Sequence, residues 1–135
     1  EVFLVEKLNF SWDEVHEIAE ELEHIKSEVL INKLDEFLGF PSFDPHGDPI
    51  PDGQGIIKKI EKHLLSDAEV NKDYKCIGVK DSSTDFLKYL DKQKIALGSV
   101  LKIVEREEFD ETLTIAIDGK RTTISNKIAS NLYVQ

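Results

Sequence analysis

The chain has 135 residues, 40% hydrophobic and 33% charged, a balance that excludes a disordered chain and suits one globular domain or two small ones. Its formal net charge of −10 argues against unaided nucleic-acid binding, which needs Lys and Arg against phosphates; the excess carboxylates suit cations, though charge alone is better explained by solubility. No apolar run approaches the length of a membrane span and no basic-then-apolar leader opens the sequence, so the expectation is a cytoplasmic protein with no membrane contact.

Glu1 to Leu8 is already amphipathic with no capping residue ahead of it, as though the sequence opened within a helix. Ser11-Trp12-Asp13-Glu14 then has the spacing of a capping box, with Ser11 as cap and Glu14 answering three residues later. From Trp12 to Leu38 good helix formers run without Gly or Pro, and Ser27 divides them into two predicted helices, the second spanning Glu28 to Leu38 and ended by Gly39 and Pro41. Gly39 to Gly55 holds all four prolines and four of the seven glycines, which predicts an ordered series of turns. Ile56 to Leu65 returns briefly to helical spacing.

Beyond a polar connector at Ser66 to Asp73 the pattern alternates, predicting strands at Cys76 to Lys80, Ser99 to Glu105, Thr112 to Ile117, Arg121 to Ile124 and Leu132 to Val134. Asp118-Gly119 is a hairpin signal, and Thr84 to Leu90 a short helix after the first of these strands. The lone Cys76 sits in a strand-like stretch and is read as an inert core thiol. Five short strands suggest a small barrel. The expected fold is therefore α+β, with a helical domain over 1–64 followed by a small β-barrel over 65–135.

On a helical wheel Trp12 to Ile25 carries two stripes. Val15, Ile18, Ala19 and Leu22 share one face, while His16, Glu20, Glu23 and His24 share another. Imidazole and carboxylate groups one turn apart can meet a divalent ion just off the helix, so Glu20, Glu23 and His24 can share one. His16 lies eight residues from His24, about 12 Å along the axis, which favours two adjacent sites over one. A solvated acidic face with incidental histidines fits the same pattern. His46, in a Pro/Gly turn, reads as a packing or hydrogen-bonding residue, Trp12 as an anchor of helix packing and His63 as solvent-exposed.

The run Trp12-Asp13-Glu14-Val15-His16-Glu17-Ile18-Ala19-Glu20-Glu21-Leu22-Glu23-His24-Ile25-Lys26-Ser27, followed by Pro45-His46-Gly47-Asp48-Pro49-Ile50-Pro51, resembles the metal-binding and dimerisation region of the diphtheria toxin repressor family. The tail from Leu65 through Phe86-Leu87-Lys88-Tyr89-Leu90 and Leu97-Gly98-Ser99-Val100 to Val134 is similar to that family's SH3-like, or FeoA-like, barrel. The resemblance implies a metal-dependent transcriptional repressor rather than an enzyme, a homodimer through the helical domain, and operator DNA bound only through a winged helix-turn-helix that precedes these residues. It assigns Glu20, Glu23 and His24 to the primary metal site, and His16 and Glu1 to the ancillary one. The metal implied is Mn2+ or Fe2+, with Co2+, Ni2+ or Zn2+ able to substitute in vitro, and Glu20 where iron-tuned members carry Cys leans toward manganese. Two family ligands fall outside this sequence: one from the first helix of the DNA domain, and a His four residues before the position of Glu1. Of the barrel segment Cys76 to Asp81, only Asp81 offers a carboxylate. The competing readings are a two-metal hydrolase and a metal-independent dimeric interaction module.

Overall fold

A computed structural model describes every residue from Glu1 to Gln135, in two compact units, Glu1–Lys59 and Ile60–Gln135. The first is helical: α1 Val2–Leu8, α2 Val15–Glu23 and α3 Glu28–Phe37. Asn9 ends α1 in the left-handed conformation at φ 61°, donating its N–H to the Leu4 carbonyl. Ser27 caps α3 as expected, its Oγ accepting from the Leu30 N–H at 3.2 Å. The Ser11–Glu14 pair meets differently from a capping box: the Ser11 hydroxyl donates to the Glu14 carboxylate at 2.7 Å, and α2 starts only at Val15 with no side-chain cap. Two side chains that satisfy each other leave the first-turn N–H groups to the Ser11 carbonyl, which accepts from Glu14 and Val15.

The Pro/Gly stretch is a chain of turns closed by aspartates. Asp44 Oδ1 accepts the N–H groups of His46 and Asp48, at 2.8 and 2.9 Å, and Asp52 Oδ1 does the same for Gln54 and Ile56. The helical spacing from Ile56 to Leu65 forms no α-helix; Ile56 and Ile57 are exposed, and regular secondary structure resumes only at His63. So short a segment, uncapped and opening on Gly55 at φ 79°, lacks what helix nucleation requires.

The second unit is a six-stranded antiparallel sheet: β1 His63–Leu64, β2 Asp73–Val79, β3 Val100–Arg106, β4 Leu113–Ile117, β5 Lys120–Ile124 and β6 Leu132–Val134, in the order β1-β6-β2-β3-β4-β5. Helices α4 Thr84–Lys92 and α5 Asn126–Ala129 fall in its connections. The five predicted strands are all present, and the expected α+β class stands. The sheet is not closed, since β1 and β5 remain edges. Strand β4 alternates inward Leu113, Ile115 and Ile117 with outward Thr114 and Ala116, and the Asp118-Gly119 turn, both residues at positive φ, returns it to β5. Cys76, 1% exposed, belongs to the core of this unit with Leu87, Leu90, Leu101, Ile103 and Leu132.

The two units bury apolar surface very unequally. In the helical unit only Val2, Leu4 and Val15 are buried apolar side chains, whereas Leu22, Ile25, Val29, Leu30, Ile31, Phe37 and Phe40 stand exposed.

Candidate metal centre

Helix α2 brings His16 and Glu20 together across one turn, with His16 Nε2 3.2 Å from Glu20 Oε1. The other ring nitrogen of His16, Nδ1, lies 3.0 Å from Glu1 Oε1 at the start of α1. Carboxylate oxygen at both ring nitrogens favours the imidazolium, and the His16 pKa is raised, chiefly by the Glu1 hydrogen bond with Glu20 adding to it. Glu1, His16, Glu20 and Glu23 line one cleft of about 590 Å³, whose remaining walls include Phe3, Leu22, Ile25 and Leu30. His24 occupies the C-cap of α2, exposed, and is not among the residues lining that cleft.

The other side of Glu1 holds a cluster that the sequence did not reveal. The second oxygen of Glu1, Oε2, lies 3.3 Å from His46 Nδ1, and Asp44 Oδ2 lies 4.0 Å from the same nitrogen. Glu1, Asp44 and His46 each offer one ligand atom within 4.8 Å of the others. His46 is 4% exposed, its ring stacked on Trp12 at 6.3 Å between centroids. Its Nε2 lies 2.6 Å from the Trp12 carbonyl oxygen, an acceptor only, so Nε2 carries hydrogen. In the neutral ring Nδ1 is then a bare lone pair directed at two carboxylate oxygens, an arrangement that calls for a proton or a cation between them.

The donor set fits a divalent transition metal. Cis ligands at ~2.1 Å in an octahedral site stand about 3 Å apart, close to the Glu1–His46 separation, and carboxylates with imidazole suit manganese, iron or zinc. Asp44 commits Oδ1 to two backbone N–H groups and keeps Oδ2 for the site. Burial raises the Asp44 pKa, only partly offset by those N–H bonds. Burial would also raise Glu1, but the His16 hydrogen bond and the charge of His46 outweigh it and leave its pKa lowered. Glu1 thus links two clusters, one toward α2 and one toward the Asp44 turn. The one signal in the sequence was local: Asp two residues before His in a Pro/Gly turn, where an aspartate-closed turn sets the imidazole.

Residues 1–52 match the family "Iron dependent repressor, metal binding and dimerisation domain", and residues 63–135 match "FeoA domain". The chain belongs to the metal-dependent transcriptional repressor family, of which it carries the metal-binding and dimerisation domain and the FeoA domain. A solved "Manganese-dependent transcriptional repressor complex with manganese" is 35% identical, superposes with a TM-score of 0.91 over 99% of this chain, and has 64% of its own length covered. A second "Manganese-dependent transcriptional repressor" is also 35% identical, with a TM-score of 0.88 over 99% of this chain and 74% of its own. The chain therefore spans 64% and 74% of the lengths of these two. A "Probable metal transport system membrane protein" of Chlamydia trachomatis serovar D is 43% identical over 51 residues, 38% of this chain and 11% of that protein. No helix here is long and apolar enough to cross a membrane.

Proposed function

We propose that the helical unit binds divalent transition metal at two neighbouring loci and dimerises, and that a DNA-reading domain outside these residues responds to the metal. The primary locus is Glu20, Glu23 and His24. The second centres on Glu1, shared between His16 on one side and His46 with Asp44 on the other. The observation that carries this reading is the buried His46, whose Nδ1 faces two carboxylate oxygens. Metal bound there supplies positive charge; the chain's own residues fix the geometry, Trp12 setting the His46 tautomer and Asp44 its turn. Glu20, a hard oxygen ligand where a thiolate would favour softer ions, supports manganese over iron as the working metal.

The exposed apolar residues of α2 and α3, from Leu22 to Phe37, support an isologous homodimer through the helical unit. The FeoA unit is an independently folding partner to it, and the whole acts as a regulator in the cytoplasm rather than an enzyme. The chlamydial match supports a second context, in which the same metal-binding module is part of a longer protein of a metal transport system.

Calorimetric titration of the 135-residue chain with Mn2+ or Co2+ tests the assignment. Two classes of site are expected; Glu23→Gln should abolish one and His46→Gln weaken the other by at least about tenfold, the usual scale for a lost ligand or its support. Unchanged isotherms in both variants would overturn it, and turnover of an ester or amide substrate would favour a hydrolase.

A further inference from the structure

We propose that the FeoA unit carries a matched knob and pocket, Phe109 at one end of β4 and a basic concavity at the other, through which one copy of the chain docks head-to-tail on the next. Phe109 is 95% exposed, the most exposed large apolar side chain in the molecule. Its loop is nevertheless built: Glu107 N–H donates to the Thr112 carbonyl at 2.8 Å, Glu111 N–H to the Glu107 carbonyl at 2.9 Å, and Asn126 Nδ2 to Glu111 Oε2 at 3.1 Å. The ring is therefore displayed on an ordered turn. Four carboxylates surround it in sequence, Glu107, Glu108, Asp110 and Glu111, and none of them forms an ion pair with a Lys or Arg within the chain.

The opposite end of the β3-β4-β5 meander has the complementary chemistry. A concavity of about 350 Å³ between the end of α4 and the β4-β5 hairpin is lined by Lys92, Lys94, Lys120 and Arg121, with buried Ile117 and exposed Asp118. None of the four cations is paired with a carboxylate. Thr122 Oγ1 donates to Gln93 Oε1 at 3.0 Å, which fixes the Gln93 amide and leaves its two N–H donors for an incoming acceptor. In a chain of net charge −10 a gathering of unpaired cations is a local positive patch that attracts an anionic occupant.

A second copy fits better than a bare phosphate. Asp118 in the wall, and the carbonyl end of α4 at Lys92, both oppose a compact dianion. An aromatic ring with carboxylates distributed around it instead meets the aliphatic stems of the lysines at its centre and their ammonium groups at its rim, the arrangement of an anchored interface. The two features cannot meet within one chain, since the five residues of β4 separate them by roughly 17 Å at ~3.4 Å per residue. The contact is heterologous, and so it builds rings or open chains rather than a two-fold pair.

Sedimentation equilibrium of the 135-residue chain, from about ten to several hundred micromolar, a range suited to weak contacts, tests this. In low salt the weight-average mass should climb with concentration above its dilute value, and the climb should vanish near ~0.5 M salt, where exposed charges are screened. Phe109→Ser and the double variant Lys120→Glu/Arg121→Glu should each reduce association by at least about tenfold. All three positions are exposed, and unchanged thermal unfolding would verify the fold. A mixture of the two variants should recover association, because one retains the pocket and the other the knob. A mass that does not change with concentration, variants that associate like the parent, or a mixture no better than its components would each overturn the proposal. If the mass stays constant while added inorganic phosphate shifts the amide resonances of Lys120 and Arg121, the pocket is an anion site instead.

Discussion

His46 Nε2 donates to the Trp12 carbonyl oxygen across 2.6 Å while its ring stacks on the Trp12 indole, so one residue fixes both the tautomer and the plane of the imidazole. His46→Ala removes the ring contact and leaves that carbonyl without its partner. A loss of roughly 2–4 kcal/mol of stability is expected. The only tryptophan in the chain sits at the site, so its fluorescence during urea unfolding reads the change directly. Saturating Mn2+ should raise the midpoint of the parent more than that of the variant. Equal midpoints for parent and variant without metal would remove His46 from the structural account.

If His16 is a ligand of the proposed Glu1 locus, proton and metal compete for it. Its folded pKa is raised above 6.5, first by the Glu1 hydrogen bond, so without metal the ring stays protonated to a higher pH than a free imidazole. Metal binding at the Glu1 locus must release that proton, and affinity there should increase as pH rises through and beyond 6.5. Glu1, with its pKa lowered, is already ionised and adds no dependence in this range. Calorimetry in two buffers of different ionisation enthalpy should show protons released on binding, and His16→Gln should reduce that release. A release unaffected by the variant would separate His16 from the metal.

The Cys76 thiol gives a pH dependence of stability that owes nothing to metal. Burial pushes its pKa from 9.0 up to about 11, against a small opposing hydrogen bond from the Gly78 N–H. Below pH 9.0 folded and unfolded chains both hold the proton, and the contribution is fully present. Between 9.0 and about 11 only the unfolded thiol ionises, so stability falls as pH rises. The full loss is about 3 kcal/mol at ~1.4 kcal/mol per pH unit. Urea unfolding at pH 8 and near the upper end of that window should show a steeper decline for the parent than for Cys76→Ala. Parallel declines would mean the thiol ionises as readily folded as unfolded.

The parts legible in the sequence are those set by neighbours along the chain. The Ser27 cap divides α2 from α3, alternation marks much of β2, β3 and β4, and Asp118-Gly119 supplies the two left-handed residues its hairpin needs. His46 was legible as a packing, hydrogen-bonding residue and is one; its approach to Glu1 was not, because only the tertiary placement of α1 against the Asp44 turn joins positions so distant in sequence. The same limit hid β1, whose His63 and Leu64 pair with Val134 and Tyr133 from the far end of the chain. Helical spacing from Ile56 to Leu65 misled because periodicity reports which face could be buried, and Ile56 and Ile57 are exposed.

The unequal cores of the two units lead to the last prediction. In Ile60–Gln135 every strand of the sheet pairs within the unit, and the core includes Leu65, Leu87, Leu90, Leu101, Leu113 and Leu132 without exposure. A fragment of these residues should unfold cooperatively on its own and, in ~0.5 M salt where the proposed Phe109 contact is screened, with a midpoint independent of its concentration. Glu1–Lys59 buries only Val2, Leu4 and Val15 among its apolar side chains and exposes Leu30, Ile31 and Phe37, so as a monomer it has little to offset the entropy of ordering three helices. The proposed association and metal sites would supply the stability it lacks. Thermal scans of the Glu1–Lys59 fragment should therefore show a midpoint that rises with protein concentration and again with Mn2+, and Leu30→Asp, on the exposed face of α3, should remove the first effect while Glu23→Gln diminishes the second. A helical fragment whose midpoint ignores its own concentration would argue that this apolar face is not where two copies meet.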